Sequence, residues 1–439
     1  MSPTRPLAAL ITALALGAAV APSQAAADPL SADQWALSTP AATGAAEAWT
    51  QSRGDGVVVA ILDSGVQLDH PDLAANLWTN PAEVAGNGVD DDRNGFVDDV
   101  HGANMISPSQ SATDDEGHGT HVAGIVAAPA GNGAGGTGIA PSAKLMSVKV
   151  LDANRAGNSS LLARGIRYAV DQGARILNVS LNGDGTSLDL DEALRYAGDH
   201  GATVVASAGN NARDLDATPS YPASSAASSV LSVTASDRTG GLLSIANRGL
   251  NSVDIAAPGA TILSTARGSG YELRQGTSMA APFVAGSLAL LAAARPELPQ
   301  GALRAALLDT APRGGALGGM LGSGSLDVGA AMHRLLPGAM WRDAPAAATT
   351  AGVASVKVLA KARMRSGSAT VRWRSAGDQR VSRWRVTLDG RRVGNVSNSK
   401  RSILRKRVSR AGKHRWTVVG VDATGSKVVS AARSFRVVR

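Results

Sequence analysis

Three polar residues spread across a 439-residue chain carry side chains that could together break an acyl bond. Asp63 stands in AILDSGVQLDHPDL, His118 in DDEGHGTHVAGIVAA and Ser278 in QGTSMAAPFVAG. A serine hydroxyl is a poor nucleophile until a neighbouring imidazole takes its proton. The imidazole needs the right tautomer, which a buried carboxylate on its other nitrogen supplies. Ser278 is therefore expected to be the nucleophile, His118 the general base and Asp63 the group that orients the base. Ser278 opens a run of small and apolar residues that reads as a helix, so the positive end of the helix dipole lies near a developing oxyanion. Gly276 and Met279-Ala280-Ala281 leave room for a close backbone approach.

Such residues work only if rigid elements hold them together. The segments 57–62, 144–151, 174–181, 202–208, 229–235 and 253–258 are nearly continuous in apolar residues, as expected of strands covered on both faces. Helical patterns over 160–173 and 189–201 fall between them. Strand and helix in alternation predict an α/β fold with a mostly parallel sheet, and the site beyond the carboxyl ends of its strands. Asp63 directly follows the first of those strands.

DSG at Asp63, GHGTHVAG at His118 and GTSMAAPFVAG at Ser278 resemble the three signature segments of the subtilisin family, in the order Asp, His, Ser. GIAPSAKLMSVKVLD, LNVSL, SAGN, SYPA and VDIAAPG fit in sequence, so the resemblance covers roughly residues 34–336. It implies a serine endopeptidase with a seven-stranded parallel sheet flanked by helices, acting on protein or peptide substrates as a monomer. It implies an oxyanion hole made by the Asn210 side chain and the Ser278 N–H. It also implies an extended substrate held between 155–157 and 180–182, with Gly157, Ser180, Leu181 and Gly209 as contacts and a first pocket completed by Ala208 and Ser220. Arg155 and Asn182 replace glycines common in the family, and LLSIANRG at 242–249 departs from its usual pattern. The resemblance would also place a folding prodomain after the export leader. DPLSADQWALSTPAATGAAEAW reads instead as the start of the peptidase body, with Asp28 to about Ser52 as a surface lead-in.

Between Asp63 and His118 lies NPAEVAGNGVDDDRNGFVDDVHG. Asp90, Asp92, Asn94, Phe96 (through its carbonyl) and Asp98 alternate around Gly95, the spacing of a calcium loop. The twelfth position is His101 rather than a bidentate Glu, so Asp99 or Glu83 would complete a structural Ca²⁺ site. Other polar residues read as structural: His121 as a packed helix residue, His70 and Asp72 as turn and cap residues, Asp114 and Asp115 as solvated. Met279, beside Ser278, is an oxidation liability.

The chain has no cysteine, which removes thiol chemistry and disulfides. Residues 1–27 pair one arginine with an apolar stretch and an A-x-A-like site, the pattern of a cleaved signal peptide. Secretion to the periplasm or outside the cell is expected. No later run is long and apolar enough to cross a bilayer; the nearest, 283–294, reads as a buried helix. The body is assigned to 28–336 and an Ala, Pro and Thr-rich linker to 337–352. Residues 353–439 hold 23 Lys and Arg against 3 Asp and Glu, with alternating short strands that weakly resemble a fibronectin III or immunoglobulin-like sandwich. That basic domain is either a solvated face or a surface for an anionic polymer or envelope. A binding protein with an inert body is the alternative class, and the intact triad with Asn210 argues against it.

Overall fold

The computed structural model describes residues 28–339 and, beyond them, eight strand segments between 355 and 438. The leader at 1–27 and most of the linker lie outside the described residues. Six parallel strands form the main sheet: β1 (Val58–Asp63), β2 (Lys144–Lys149), β3 (Ile176–Val179), β4 (Thr203–Ser207), β5 (Val230–Ser236) and β6 (Ile255–Pro258), in the order β2-β1-β3-β4-β5-β6. All six coincide with apolar segments picked out by sequence.

The seventh strand implied by the family resemblance is not formed among the described residues. Residues 101–105 run along the free edge of β2 as single bridges, with Ser147 N–H on His101 O (2.9 Å), Lys149 N–H on Ala103 O (3.0 Å) and Met105 N–H on Lys149 O (2.9 Å). Within it Ala103 bridges to Ser111 and Asn104 to Lys149, so the pairing is split between partners and no strand forms. The opposite margin is covered in the same way. Ala256 N–H donates to Gly324 O (2.9 Å) and Leu326 N–H to Ala256 O (2.7 Å), alongside β6.

Strand β1 shows how the sheet separates two cores. Val59 and Ile61 face one, Ala60 and Leu62 the other, all fully buried. Helices α4 (His118–Ala127) and α7 (Thr277–Ala294) fill the first core; α5 (Ser159–Asp171) and α6 (Leu188–Asp199) cover the second. Caps start the covering helices: Asn158 Oδ1 accepts Leu161 N–H (2.9 Å) and Ser187 Oγ accepts Leu190 N–H (3.2 Å). At 18 residues α7 is long and apolar enough to cross a membrane, unlike the shorter segment foreseen, yet 83% of it is buried inside the fold.

The segment before β1 is more than a surface lead-in. It folds as short turns α1 (Trp35–Ser38), α2 (Pro40–Thr43) and α3 (Ala45–Ala48). Ala36, Leu37, Ala45 and Ala48 join the first core, and the indole N–H groups of Trp35 and Trp49 donate to Ala260 O (2.9 Å) and Ile139 O (2.7 Å). After β6 come the hairpin β7 (Ile262–Ala266) and β8 (Gly270–Arg274), and helices α8 (Gln300–Thr310) and α9 (Val328–Leu335).

The basic segment contains β9 (Ser355–Leu359), β10 (Arg363–Arg365), β11 (Gly367–Ala376), β12 (Arg383–Leu388), β13 (Arg391–Ser397), β14 (Arg401–Val408), β15 (Gly412–Val421) and β16 (Lys427–Val438). They pair as one sheet β10-β16-β15-β12-β13 and another β14-β11-β9. Asp389, at φ +51°, sits in the turn between β12 and β13.

Candidate active site

Asp63 closes β1 and is fully buried; His118 opens α4 and is 7% exposed. His118 Nδ1 lies 2.8 and 2.9 Å from the two Asp63 carboxylate oxygens, and Ser64 N–H donates to Asp63 Oδ1 at 2.8 Å. A carboxylate accepts only, so Nδ1 carries the proton and Nε2 presents a lone pair. Ser278, the second residue of α7, shares the cleft with His118. Its Oγ donates to Ser180 O (3.1 Å), while Ser180 Oγ donates to Ser278 O (2.9 Å).

Asn210 approaches from the turn after β4. Its Oδ1 accepts the N–H of Thr277 (2.9 Å), the first residue of α7, and so does the work of a cap. That contact assigns the amide: Nδ2 is left as a donor. Gly276, at φ +135°, lets the amide lie flat, since a Cβ there would stand 2.9 Å from Asn210 Oδ1. The departing segment 242–249 supports this turn. Buried Asn247 donates to Ala208 O (2.8 Å) and accepts from Asn211 N–H (3.0 Å) and Arg213 N–H (2.9 Å).

Asp114 is not solvated. At 4% exposure it accepts Ser64 Oγ–H (2.9 Å), Glu116 N–H (2.9 Å), Gly117 N–H (2.8 Å), Thr120 N–H (2.9 Å) and the Thr120 hydroxyl (2.5 Å). Those bonds tie the residue after Asp63 to the first turn of α4, which fixes the distance between Asp63 and His118. Lys149 adds a second tie: its ammonium donates to Ser64 O (2.8 Å) and pairs with Asp115 (2.6 Å). Sequence reading missed both. The clustering of Asp114, Asp115 and Glu116 just before His118 was the available signal.

A cleft of about 310 Å³ opens beside Ser278 and His118, with Gly157, Ser180 and Leu181 in its wall. Gly209 lies behind it: a Cβ there would meet Asn247 and Asn182. Asn182 itself lines the cleft and donates to Ser220 Oγ (3.0 Å). Neither 155–157 nor 180–182 belongs to a described strand, so both differ from the strands implied by resemblance. Arg155, at φ +62°, forms part of a loop folded around Asp152, and 180–182 runs straight out of β3.

His121 is buried as expected, its Nε2 3.2 Å from Glu272 O. Burial, assisted by the Arg274 charge, lowers its pKa to about 4. His70 and Asp72 form a buried turn, with Asp72 N–H on His70 Nδ1 (3.0 Å).

In the acidic loop, carboxylate oxygens of Glu83, Asp90 and Asp92 lie within 4.8 Å of one another. Glu83 Oε2 is buried without a hydrogen-bond partner among the described residues, and burial together with the charges of Asp99 and Asp92 raises its pKa. Asn94 bonds Asp92 and Asp99, and the Phe96 ring packs on Tyr168. Asp98 does not join this cluster. At φ +51° it turns back to accept the N–H groups of Gly86, Asn87 and Gly88. His101 also stays outside, its Nδ1 held on Trp78 O (2.8 Å).

A buried Asp-His pair sharing a cleft with a helix-opening serine, at the carboxyl ends of a parallel sheet, is an arrangement suited to a serine hydrolase. The sequence pattern of the Subtilase family matches residues 54–333, and the chain belongs to that family of serine proteases. Thermitase from Thermoactinomyces vulgaris is 37% identical over 248 residues, 56% of this chain and 79% of its own length. The intracellular serine protease of Paenibacillus polymyxa is 40% identical over 245 residues, 55% and 68% of the two chains. Subtilisin Savinase from Lederbergia lenta is 36% identical over 278 residues, 63% and 91%. A solved protease structure from Pseudoalteromonas arctica superposes with a TM-score of 0.58 at 30% identity, covering 71% of this chain and 99% of its own.

Proposed function

We propose that this chain is a secreted endopeptidase that cuts peptide bonds through an acyl-enzyme on Ser278. The Asp63–His118 contact at 2.8 Å carries the reading, because it leaves His118 Nε2 as the base inside the cleft. The Ser278 hydroxyl leaves Ser180 O, gives its proton to Nε2 and attacks the scissile carbonyl carbon. The oxyanion takes the Asn210 amide and the Ser278 N–H, one of the first-turn donors without a helical partner. The imidazolium then protonates the leaving amine, and water repeats the sequence on the ester. Ser180 O, once released, accepts from the substrate backbone; Gly157 and Leu181 border the acyl side, and Gly209 supports it from behind.

Calcium is proposed in the acidic loop. Glu83, Asp90 and Asp92 would hold it, with Asp99 nearby, and the unpartnered Glu83 Oε2 is the observation that fits a hard cation. Its part would be to secure the loop against the sheet, away from the chemistry.

Residues 353–439 are proposed as a β-sandwich module that binds anionic polymers or an envelope surface, with residues 1–27 as the export signal. The charge balance of 23 basic against 3 acidic groups supports the first of these.

Purified protein treated with a peptidyl phosphonate should be labelled on Ser278, and Ser278→Ala should neither label nor cut casein. Proteolysis that survives in Ser278→Ala would overturn the reading.

A further inference from the structure

Across Ser278 from the acyl cleft lies a second recess of about 290 Å³, bordered by His118, Ser278, Asn210 and Met279. With the acyl half of a substrate against 155–157 and 180–182, and its carbonyl oxygen on Asn210, the chain beyond the scissile bond runs into this recess. Two guanidinium groups line it, Arg274 and Arg155, the latter bordering the acyl cleft as well, and no carboxylate does among the described residues.

Both arginines are held in place. Arg155 Nε pairs with Glu116 Oε1 at 2.9 Å, and Glu116 in turn accepts His118 N–H through Oε2 (2.7 Å). Arg274 Nε pairs with Glu272 Oε1 at 2.7 Å. Its Nη2 reaches to 3.4 Å from where a Cβ on Gly117 would stand, beside His118. Neither Glu116 nor Glu272 borders the recess: each holds the Nε edge of its arginine, and both arginines border it. Arg267 crosses behind Gly117 to the Asp115 carbonyl and adds to the same field. The Arg274 side chain is only 24% exposed, so solvent screens it less than a free surface arginine.

We propose that this recess selects substrates with Asp or Glu in the first two residues after the scissile bond, a preference that rests on the peptidase reading above. A guanidinium fork matches a carboxylate bidentately and stays charged at every pH at which the base works. A lysine in the same place meets two like charges.

The test uses the full chain and quenched fluorescent peptides with one fixed acyl half. Glu, Gln or Lys is placed first or second after the cut. We expect kcat/KM for Glu to exceed that for Lys by about tenfold, the scale of two partly screened charge pairs. The ratio should shrink in high salt and stay constant from pH 7 to pH 10. Arg274→Gln and Arg155→Gln should each lower it, and the double reversal Arg155→Glu with Arg274→Glu should invert it, which loss of folding cannot do. Equal cleavage of the three peptides, or an acidic preference confined to the acyl half, would overturn this inference and leave the peptidase standing. No cleavage of any peptide, with no phosphonate label on Ser278, would overturn both.

Discussion

Ser180 and Ser278 exchange two hydrogen bonds, each hydroxyl donating to the other's carbonyl, at 2.9 and 3.1 Å. The reason lies one turn further along α7. Pro282 is the residue whose N–H would bond the Ser278 carbonyl in an unbroken helix, and proline has none. Ser180 supplies the missing donor, and thereby joins the segment after β3 to the backbone of Ser278.

Ser180→Ala should leave the Ser278 carbonyl short of a donor and cost about 1–3 kcal/mol of stability. In a Pro282→Ala background the restored N–H should recover much of that. Thermal melts of the two single variants and the double variant read the coupling; additive costs would refute the link between Pro282 and Ser180.

The two parts of Asn210 fall on separate atoms: Oδ1 accepts Thr277 N–H, and Nδ2 is the donor proposed for the oxyanion. Asn210→Ala should lose the cap on α7, about 1 kcal/mol, and a factor of about 100 to 1,000 in kcat. Asn210→Asp keeps an oxygen for Thr277 N–H but no amide donor, so stability should hold while turnover falls. Parallel melts and peptide kinetics separate the two, and a full loss of stability in Asn210→Asp would contradict the assignment of Oδ1 to the cap.

Asp114→Ala removes five accepted bonds from a buried site. A cost of about 3 kcal/mol or more is expected, read as a fall in melting temperature, with kcat reduced through a misplaced His118. An unchanged melting temperature and kcat would mean that Ser64 and Lys149 suffice.

His121 should make the fold acid-sensitive. Its folded pKa of about 4 lies below the unfolded value of 6.5, so the unfolded chain binds the extra proton first. This contribution to stability is complete above pH 6.5 and is lost as pH falls from there to about 4, on the order of 3 kcal/mol in all. His121→Gln should flatten melting temperature against pH across that window; an unaltered slope would move the sensitivity to another group.

Chelation should lower the melting temperature if the acidic loop holds calcium, by an amount set by ion concentration over Kd. The paired change Asp90→Ala with Asp92→Ala should abolish the chelator effect, whereas Asp98→Ala should keep it, because Asp98 caps residues 86–88 instead.

The six strands, the Asp63–His118 contact and the cleft shared with Ser278 were legible because each depends on residues adjacent in sequence: apolar runs for the strands, short fixed segments around Asp63, His118 and Ser278. Asp98 misled because alternate spacing predicts convergence only while the backbone stays regular, and a left-handed residue reverses the side chain. Asp114, Lys149 and Asn247 were illegible for another reason. Asp114 ties to Ser64, Lys149 to Ser64 and Asp115, and Asn247 to Ala208 only once the chain has folded, and no local pattern names those distant partners. The seventh strand failed on geometry: 101–105 has the place of a strand without its regularity.

Residues 101–105 beside β2 and 324–326 beside β6 carry a consequence for self-association. An open parallel sheet is at risk at its margins, whose outer strands would offer a ladder of donors and acceptors to a stray peptide or to a second molecule. Here the protein's own backbone already occupies both margins. A visiting chain is turned away where it would only aggregate; the proposed substrate would instead pair beside Ser278, along Gly157 and 180–182.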